Sequence, residues 1–380
     1  MSLRRNRKRK RVFFVLLIFF LIILGIIGVH LWKYLNVGVQ VITDKKIQLK
    51  QSEQKRINIL ILGVGGGSHE GPDLTDTIIF ASLDPKNKKV LLVSIPRDLW
   101  VPELNAKINS AYTYGEEKQK GSGLLFTKAI VGKIVGQDID YAIKIDFNGF
   151  VKAVDMVGGL DIDVANTFDD YAYPITGRED DPCGHSDTEI ASASAQIASG
   201  SATESDFFTC RYEHLHFDSG QTHMDGTTAL KYVRSRHALG PEGSDFARSK
   251  RQEKVIKAFK DKIFSMQVLL HPAKAIDLIN VVIGSIVTDI KEDEYDDFIK
   301  LAQKLKGASI TSGTVDSGDA KSGREGLLMN PQDTTDYGGA WVLIPVAGNG
   351  DYSQIKKYVD CEITKGNCSA TPTPTPKPSQ

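Results

Sequence analysis

Apolar positions follow three regimes along this chain. From Val12 to Val29 the sequence VFFVLLIFFLIILGIIGV is uninterrupted apolar, and Leu31 and Trp32 extend it to about the 20 residues that span a bilayer as a helix. The pattern predicts a transmembrane helix over 12–32. Beyond residue 56 come short apolar runs of the kind that buried central strands show: INILILGV (57–64), TDTIIFASL, and, after the turn DPKNKK, VLLVSIPRD. So short a turn makes the last two adjacent antiparallel strands. Helical period follows in GLLFTKAIVGKIVG (123–136), then a strand YAIKID (141–146), a helix FNGFVKAVDMVGG closed by its glycines, and a strand LDIDV (160–164). From Asp245 an amphipathic helix runs to about Phe264, more helix reaches about Lys306, and WVLIPVAG (341–348) reads as a last strand. Strands alternating with helices predict an α/β fold, a mixed central sheet flanked by helices in three layers, behind the N-terminal transmembrane helix.

The third regime is polar. Residues 33–55 form a lysine-rich linker, and residues 169–212 interrupt the α/β pattern with an acidic and then Ala/Ser-rich insertion. The domain is expected over 56–360, and 361–380 form a tail that ends in the Pro/Thr-rich sequence ATPTPTPKPSQ.

Charge fixes the orientation. The chain has 380 residues, with 41% hydrophobic and 25% charged residues and a net charge of zero. Seven of the first eleven residues are nevertheless basic and none is acidic, which leaves the remainder acidic. This asymmetry places segment 1–11 in the cytoplasm and everything after Trp32 outside the cell membrane, as a single-pass protein. No small-x-small cleavage site follows, so the helix reads as an uncleaved signal anchor. An external location makes Cys183, Cys210, Cys361 and Cys368 candidates for disulfides. Pairing by proximity joins Cys183 to Cys210 and Cys361 to Cys368, although four cysteines permit three connectivities. His214 and His216 follow Cys210 closely, but without a second cysteine pair they are a weak zinc signal. They read better as alternating residues of the strand HLHF.

The segment from Asp225 to Gln252 contains four arginines. Guanidinium groups match phosphate oxygens with a planar fork of donors and stay charged at any working pH; a solvated basic face is the competing reading. If YVRSRH is a strand, Arg234 and Arg236 share a face. On the following helix Arg248 and Gln252 sit four apart and share another. Arg97 and Asp98 leave a buried strand, where α/β sheets place ligands; Lys107 and Asn109 follow, and Asp76 opens the preceding strand. Gly65 and Gly66 would let backbone N–H groups approach a phosphate. The loop GVGGGS also invites a dinucleotide-binding reading, but Ser68 stands at the third glycine and Pro72 interrupts any helix. No nucleic-acid partner is expected.

In this order, TDT, SIPRD, KINxAY, GF..AVDxVGG, DG..AL.Y.R.R and D..R..RQ, spread over residues 57–264, resemble the LytR-CpsA-Psr family. The resemblance implies a membrane-anchored extracytoplasmic enzyme that transfers a glycopolymer from a polyprenyl-pyrophosphate carrier to peptidoglycan, with magnesium present. It implies pyrophosphate contacts for Arg97, Arg234, Arg236, Arg248 and Gln252, a metal-linked role for Asp76, and a phosphate or acceptor contact for Lys107. Asp98 is read as a general base or as the residue that holds Arg97. The family's usual Asp after the first strand and Arg before the TDT aspartate are replaced by Gly65 and Leu74, so part of its metal site is missing; Asp73 or His69 are candidates to compensate. A non-catalytic binder of the same lipid, or a hydrolase of its pyrophosphate, remain alternatives.

Overall fold

Three apolar runs form the first three strands, β1 (Ile57–Val64), β2 (Thr75–Asp84) and β3 (Lys89–Ser94), each antiparallel to the next. They belong to a computed structural model that describes residues 47–52, 54–66, 71–265, 286–319, 324–366 and 368. The expected transmembrane helix and cytoplasmic segment, His69 and the Pro/Thr tail lie outside the described residues. Among the described residues no helix is long and apolar enough to cross a membrane.

The chain continues through α1 (Ala111–Lys118), α2 (Gly123–Val135), β4 (Tyr141–Asp146), α3 (Phe147–Met156) and β5 (Leu160–Val164). Next come β6 (Phe168–Pro174), α4 (Asp187–Ala198), β7 (Tyr212–Phe217), β8 (Gly220–Met224), α5 (Gly226–Arg234) and α6 (Asp245–Ser265). The described chain closes with β9 (Ile286–Thr288), α7 (Tyr295–Lys304), β10 (Ser309–Thr314) and α8 (Ser353–Thr364). Six strands make the central mixed sheet in the order β9-β4-β1-β2-β3-β10, with β4 parallel to β1 and β10 parallel to β3.

Alternation along a strand sends successive side chains to opposite faces. Leu60, Leu62, Phe80 and Val93 therefore meet Val131 and Ile134 of α2 and Ile355 and Val359 of α8. Ile57, Ile59, Ile79 and Leu92 face the other way, against Leu301 and Leu305. Leu49, in the stretch read as linker, is buried in this second core, and the amide of Lys50 donates to Tyr141 Oη at 2.9 Å. A third core lies beside the sheet: Leu160, Ile162, Phe168, Phe217, Tyr232 and Val255. Helix α6 ties this lobe to the sheet, because Val255 enters the third core and Ile256 packs on the second.

Two of the motifs turn out to build this lobe. Asp225 caps α5 by accepting from the Thr228 amide at 2.7 Å, and the Gly226 amide donates to Asp155 of α3 at 2.7 Å. A Cβ on Gly226 would stand 2.3 Å from the Val151 carbonyl oxygen, so only glycine lets the helices approach this closely.

The structure corrects several expectations. YVRSRH is not a strand: α5 runs to Arg234, and its buried Ala229 and Tyr232 show helical spacing. WVLIPVAG is not a strand of the central sheet. Only Ile344–Pro345 form a short ladder, with Leu328–Met329, while Leu343 bridges Leu99; Pro345 has no amide to extend a ladder. The outer strand β10, SITSGT, escaped the sequence reading, and residues 286–288, expected to be helical, pair with β4.

Both proposed cysteine pairs are bridged, Cys183 with Cys210 and Cys361 with Cys368. The first closes the insertion across 27 positions. Replacing both its cysteines by serine should lower stability by about 3 kcal/mol through the loosened unfolded chain. Denaturant titration checks this, and a change below about 1 kcal/mol would count against it.

Candidate anion-binding site

Antiparallel pairing brings the start of β2 and the end of β3 to one end of the sheet, and there Arg97 meets Asp76. The Arg97 Nη1 donates to Asp76 Oδ1, and its Nε stands 3.5 Å from Asp98 Oδ2. Asp98 Oδ1 in turn accepts from Lys107 Nζ at 2.8 Å. Burial disfavours the Arg97 charge, yet the contacts with Asp76 and Asp98 outweigh it and hold the guanidinium above its ordinary range. The backbone here is pinned as well: Arg97 O accepts from the Asn109 amide at 3.2 Å and Asp98 O from the Leu343 amide at 2.9 Å. Asn109 and Leu343 thus hold the chain after SIPRD through their backbones.

A cleft of about 1820 Å³ opens over this group. Arg97, Asp98 and Lys107 line one side, Arg236, Arg248 and Lys254 another. In all, seven basic and four acidic side chains line it, an excess of three positive charges in a chain of zero net charge, so the cleft attracts anions. A small adjoining recess, about 20 Å³, is lined by Asp76, Ser94, Gln252 and Thr314, and shares Arg248 with the cleft. Arg248 and Gln252 therefore face the same place from one side of α6, as their spacing predicted.

Four expected site residues stand elsewhere. Arg234 does not share a face with Arg236. It ends α5 stacked on Phe147, its guanidinium carbon 3.9 Å from the ring centroid, and donates to Tyr173 Oη at 3.1 Å. Asp73 is engaged by Lys144 Nζ at 2.6 Å, and Lys144 sits 4.0 Å over the Tyr112 ring. The Gly66 amide donates to Pro72 O at 2.9 Å, so that amide is engaged within its own loop, and Gly65 precedes it.

Two residues were missed. Asp170, fully buried, accepts at Oδ2 from Ser235 Oγ at 2.6 Å and from the amides of Arg236 and His237, both at 3.2 Å. Arg251, also buried, donates to the carbonyls of Tyr232 (3.0 Å), Ser235 (2.7 Å) and Glu242 (2.8 Å), and to the Glu242 carboxylate at 3.0 Å. Burial lowers the Arg251 pKa, and Glu242 opposes that shift. Together the two residues set the turn that carries Arg236. A signal for Arg251 was present, since it stands one position before Gln252 on an amphipathic helix and so faces the protein interior.

This is an α/β/α protein with a basic, anion-attracting cleft at one end of its central sheet, where α/β folds place their ligands. The chain belongs to the LytR-CpsA-Psr family: the sequence model of the LytR_cpsA_psr family matches residues 36–333. TagV of Bacillus subtilis, a polyisoprenyl-teichoic acid–peptidoglycan teichoic acid transferase, is 26% identical over 271 residues, covering 67% of this chain and 58% of that protein. TagU of Bacillus cereus, described in the same words, is 26% identical over 257 residues, 67% of this chain and 66% of its own length. The chain thus spans less than two thirds of these relatives. The crystal structure of B. subtilis TagV has the same fold, with a TM-score of 0.52 and 23% identity over 82% of this chain and 97% of that one. Protein gbs0355 of Streptococcus agalactiae also matches at 0.52, with 22% identity over 81% and 89%.

Replacing Asp170 by alanine leaves three donors at the Arg236 turn without their acceptor. Bonds to a buried carboxylate contribute about 1.5–3 kcal/mol each, so the variant should lose on the order of 3 kcal/mol, read by thermal or denaturant unfolding. Stability equal to the parent would show that water replaces the carboxylate at no cost.

Proposed function

We propose that this chain is a membrane-anchored phosphotransferase that moves a glycopolymer from a polyprenyl-pyrophosphate carrier to a cell-wall acceptor, peptidoglycan, through a phosphodiester bond. The observation that carries this reading is the convergence of Arg97, Lys107, Arg236 and Arg248 on one cleft, with Arg97 already fixed by two carboxylates. The names of the relatives, teichoic acid transferases acting between a polyisoprenyl carrier and peptidoglycan, support the substrate class.

The chemistry needs neutralised charge more than covalent help. Guanidinium groups fixed in advance take up charge on the phosphoryl oxygens without reorganising. An acceptor hydroxyl attacks the phosphorus nearest the sugar. The bond from that phosphorus to the bridging oxygen breaks, polyprenyl phosphate leaves with the electron pair, and the hydroxyl's proton passes to solvent. Asp98 is shared by Lys107 and Arg97, which makes it the residue that orients both cations.

The family implies magnesium. Among the described residues Asp76 is the carboxylate that lines the recess and fits that ion, with one oxygen already accepting from Arg97; Asp73 is taken up by Lys144, and Gly65 has no side chain to offer. Magnesium takes one or two carboxylates beside substrate phosphates, so Asp76 would hold it together with the pyrophosphate, whose charge it would help neutralise. Binding of magnesium to the empty full-length chain should then be weak and should strengthen when a polyprenyl-pyrophosphate analogue is present. Calorimetric titration with and without the analogue reads this; equal affinities would remove Asp76 from the metal site.

The test of the function uses the full-length chain in detergent with a lipid-linked donor and peptidoglycan, and follows both polyprenyl phosphate release and polymer attachment. Arg236→Ala should reduce transfer about 10²-fold or more with little change in unfolding temperature. Release of free polymer phosphate without attachment would instead support a hydrolase, and binding without turnover a carrier protein.

A further inference from the structure

The outer face of the β6–β7 ladder carries a cluster that the cleft does not use. Asp169 pairs directly with His216 across the ladder, and His214 stands two residues along the same strand, so all three side chains emerge on one face. Asp169 Oδ1 lies 2.7 Å from His214 Nε2 and 2.8 Å from His216 Nδ1. One ligand atom from each side chain falls within 4.8 Å of the others. The imidazoles are held in place: Tyr171 stacks on His214 with ring centroids 4.1 Å apart and an angle of 3° between the planes, while His216 Nε2 is 3.2 Å from Asp218 Oδ1.

We propose that Asp169, His214 and His216 form a binding site for a transition-metal ion of the zinc class, with the fourth position open to water. Two imidazole nitrogens and a carboxylate oxygen are the donor set such ions prefer, whereas magnesium and calcium take oxygen alone. Both ring nitrogens of His216 face carboxylates. With a metal ion on Nδ1, Nε2–H donates to Asp218, the carboxylate–histidine–metal arrangement that orients ligands in zinc proteins. The ligand atoms now stand at hydrogen-bond distance. Tetrahedral zinc with bonds of about 2.0–2.2 Å separates its ligands by about 3.4 Å, so the cluster must open by roughly half an ångström. Rotation of exposed side chains supplies that shift without moving the backbone.

The position gives the site a consequence. Asp170, the next residue, points to the opposite face and holds the Arg236 turn, and the Asp169 carbonyl accepts from the Leu239 amide at 2.8 Å. An ion that ties β6 to β7 therefore steadies the strand on which that turn rests. An isolated two-stranded ladder is marginally stable, and a metal that binds only the folded state stabilises it by mass action.

The untagged full-length chain, treated with chelator and titrated with Zn2+ in competition with a chromophoric chelator, should take up one ion at micromolar affinity or tighter. Co2+ as probe should show the visible absorption bands of a four-coordinate site. His214→Ala and His216→Ala should each weaken binding at least about tenfold. His223→Ala, whose imidazole stands 2.7 Å from Asp161 outside the cluster, should bind like the parent, and Zn2+ should raise the unfolding temperature of parent and control but not of the two variants. Absence of saturable Zn2+ binding, or binding retained when both His214 and His216 are replaced, would overturn the proposal.

Discussion

Arg97 occupies a half-buried position at the end of the sheet only because two carboxylates flank it. Burial alone penalises such a charge and favours its release to solvent; Asp76 and Asp98 reverse that balance. Their positions follow from the register of two antiparallel strands, in which Ile79 stands opposite Ser94. A slip by one residue would turn Asp76 to the other face and leave Arg97 with a single partner. The apolar alternation of β2 and β3, which must fill two cores at once, thus also fixes the electrostatics of the cleft.

The second side of the cleft is held by different means. Arg236 lies between the end of α5 and the Ala238–Asp170 bridge, and Asp170 and Arg251 hold this segment, one accepting from amides and the other donating to carbonyls. Both are buried, so neither interaction is much weakened by solvent. Because α6 carries Arg251 toward the lobe and Arg248 toward the cleft, one helix registers the turn and the anion site together. The positive groups are therefore set by the protein before any ligand arrives, which is the condition for electrostatic help without reorganisation.

The central strands were legible because each is a continuous apolar run that only a doubly covered sheet can bury. Arg248 and Gln252 were legible because a long amphipathic pattern fixes which residues share a face. YVRSRH misled because its alternating polar and apolar residues fit a strand of period two; Asp225 as a cap and Ala229 with Tyr232 three apart carried the helical signal that decided the matter. β10 was hidden because SITSGT has one large apolar residue, Ile310, and lies at the sheet edge. Asp170 could not be found by pattern. Its role comes from contacts with residues 65 to 67 positions away, and in the sequence it is one more acid in an acidic stretch.

The family's usual aspartate and arginine are absent at positions 65 and 74, and the structure shows what occupies their surroundings. Gly66 has φ +68°, a conformation that disfavours side chains, and a Cβ there would stand 2.7 Å from the Cβ of Asp146. Leu74 folds over Gly71, where a Cβ would meet its Cδ1 at 2.6 Å. Between them Asp73 is drawn to Lys144 on β4, whose charge burial disfavours and Asp73 restores. Among the described residues of this loop, Asp73 is turned away from the recess and Asp76 lines it. Under the proposed function, neutralisation of a diphosphate would fall mainly on the arginines of α6 and of the segment before it, Arg248 and Arg236, behind which Asp170 and Arg251 are buried.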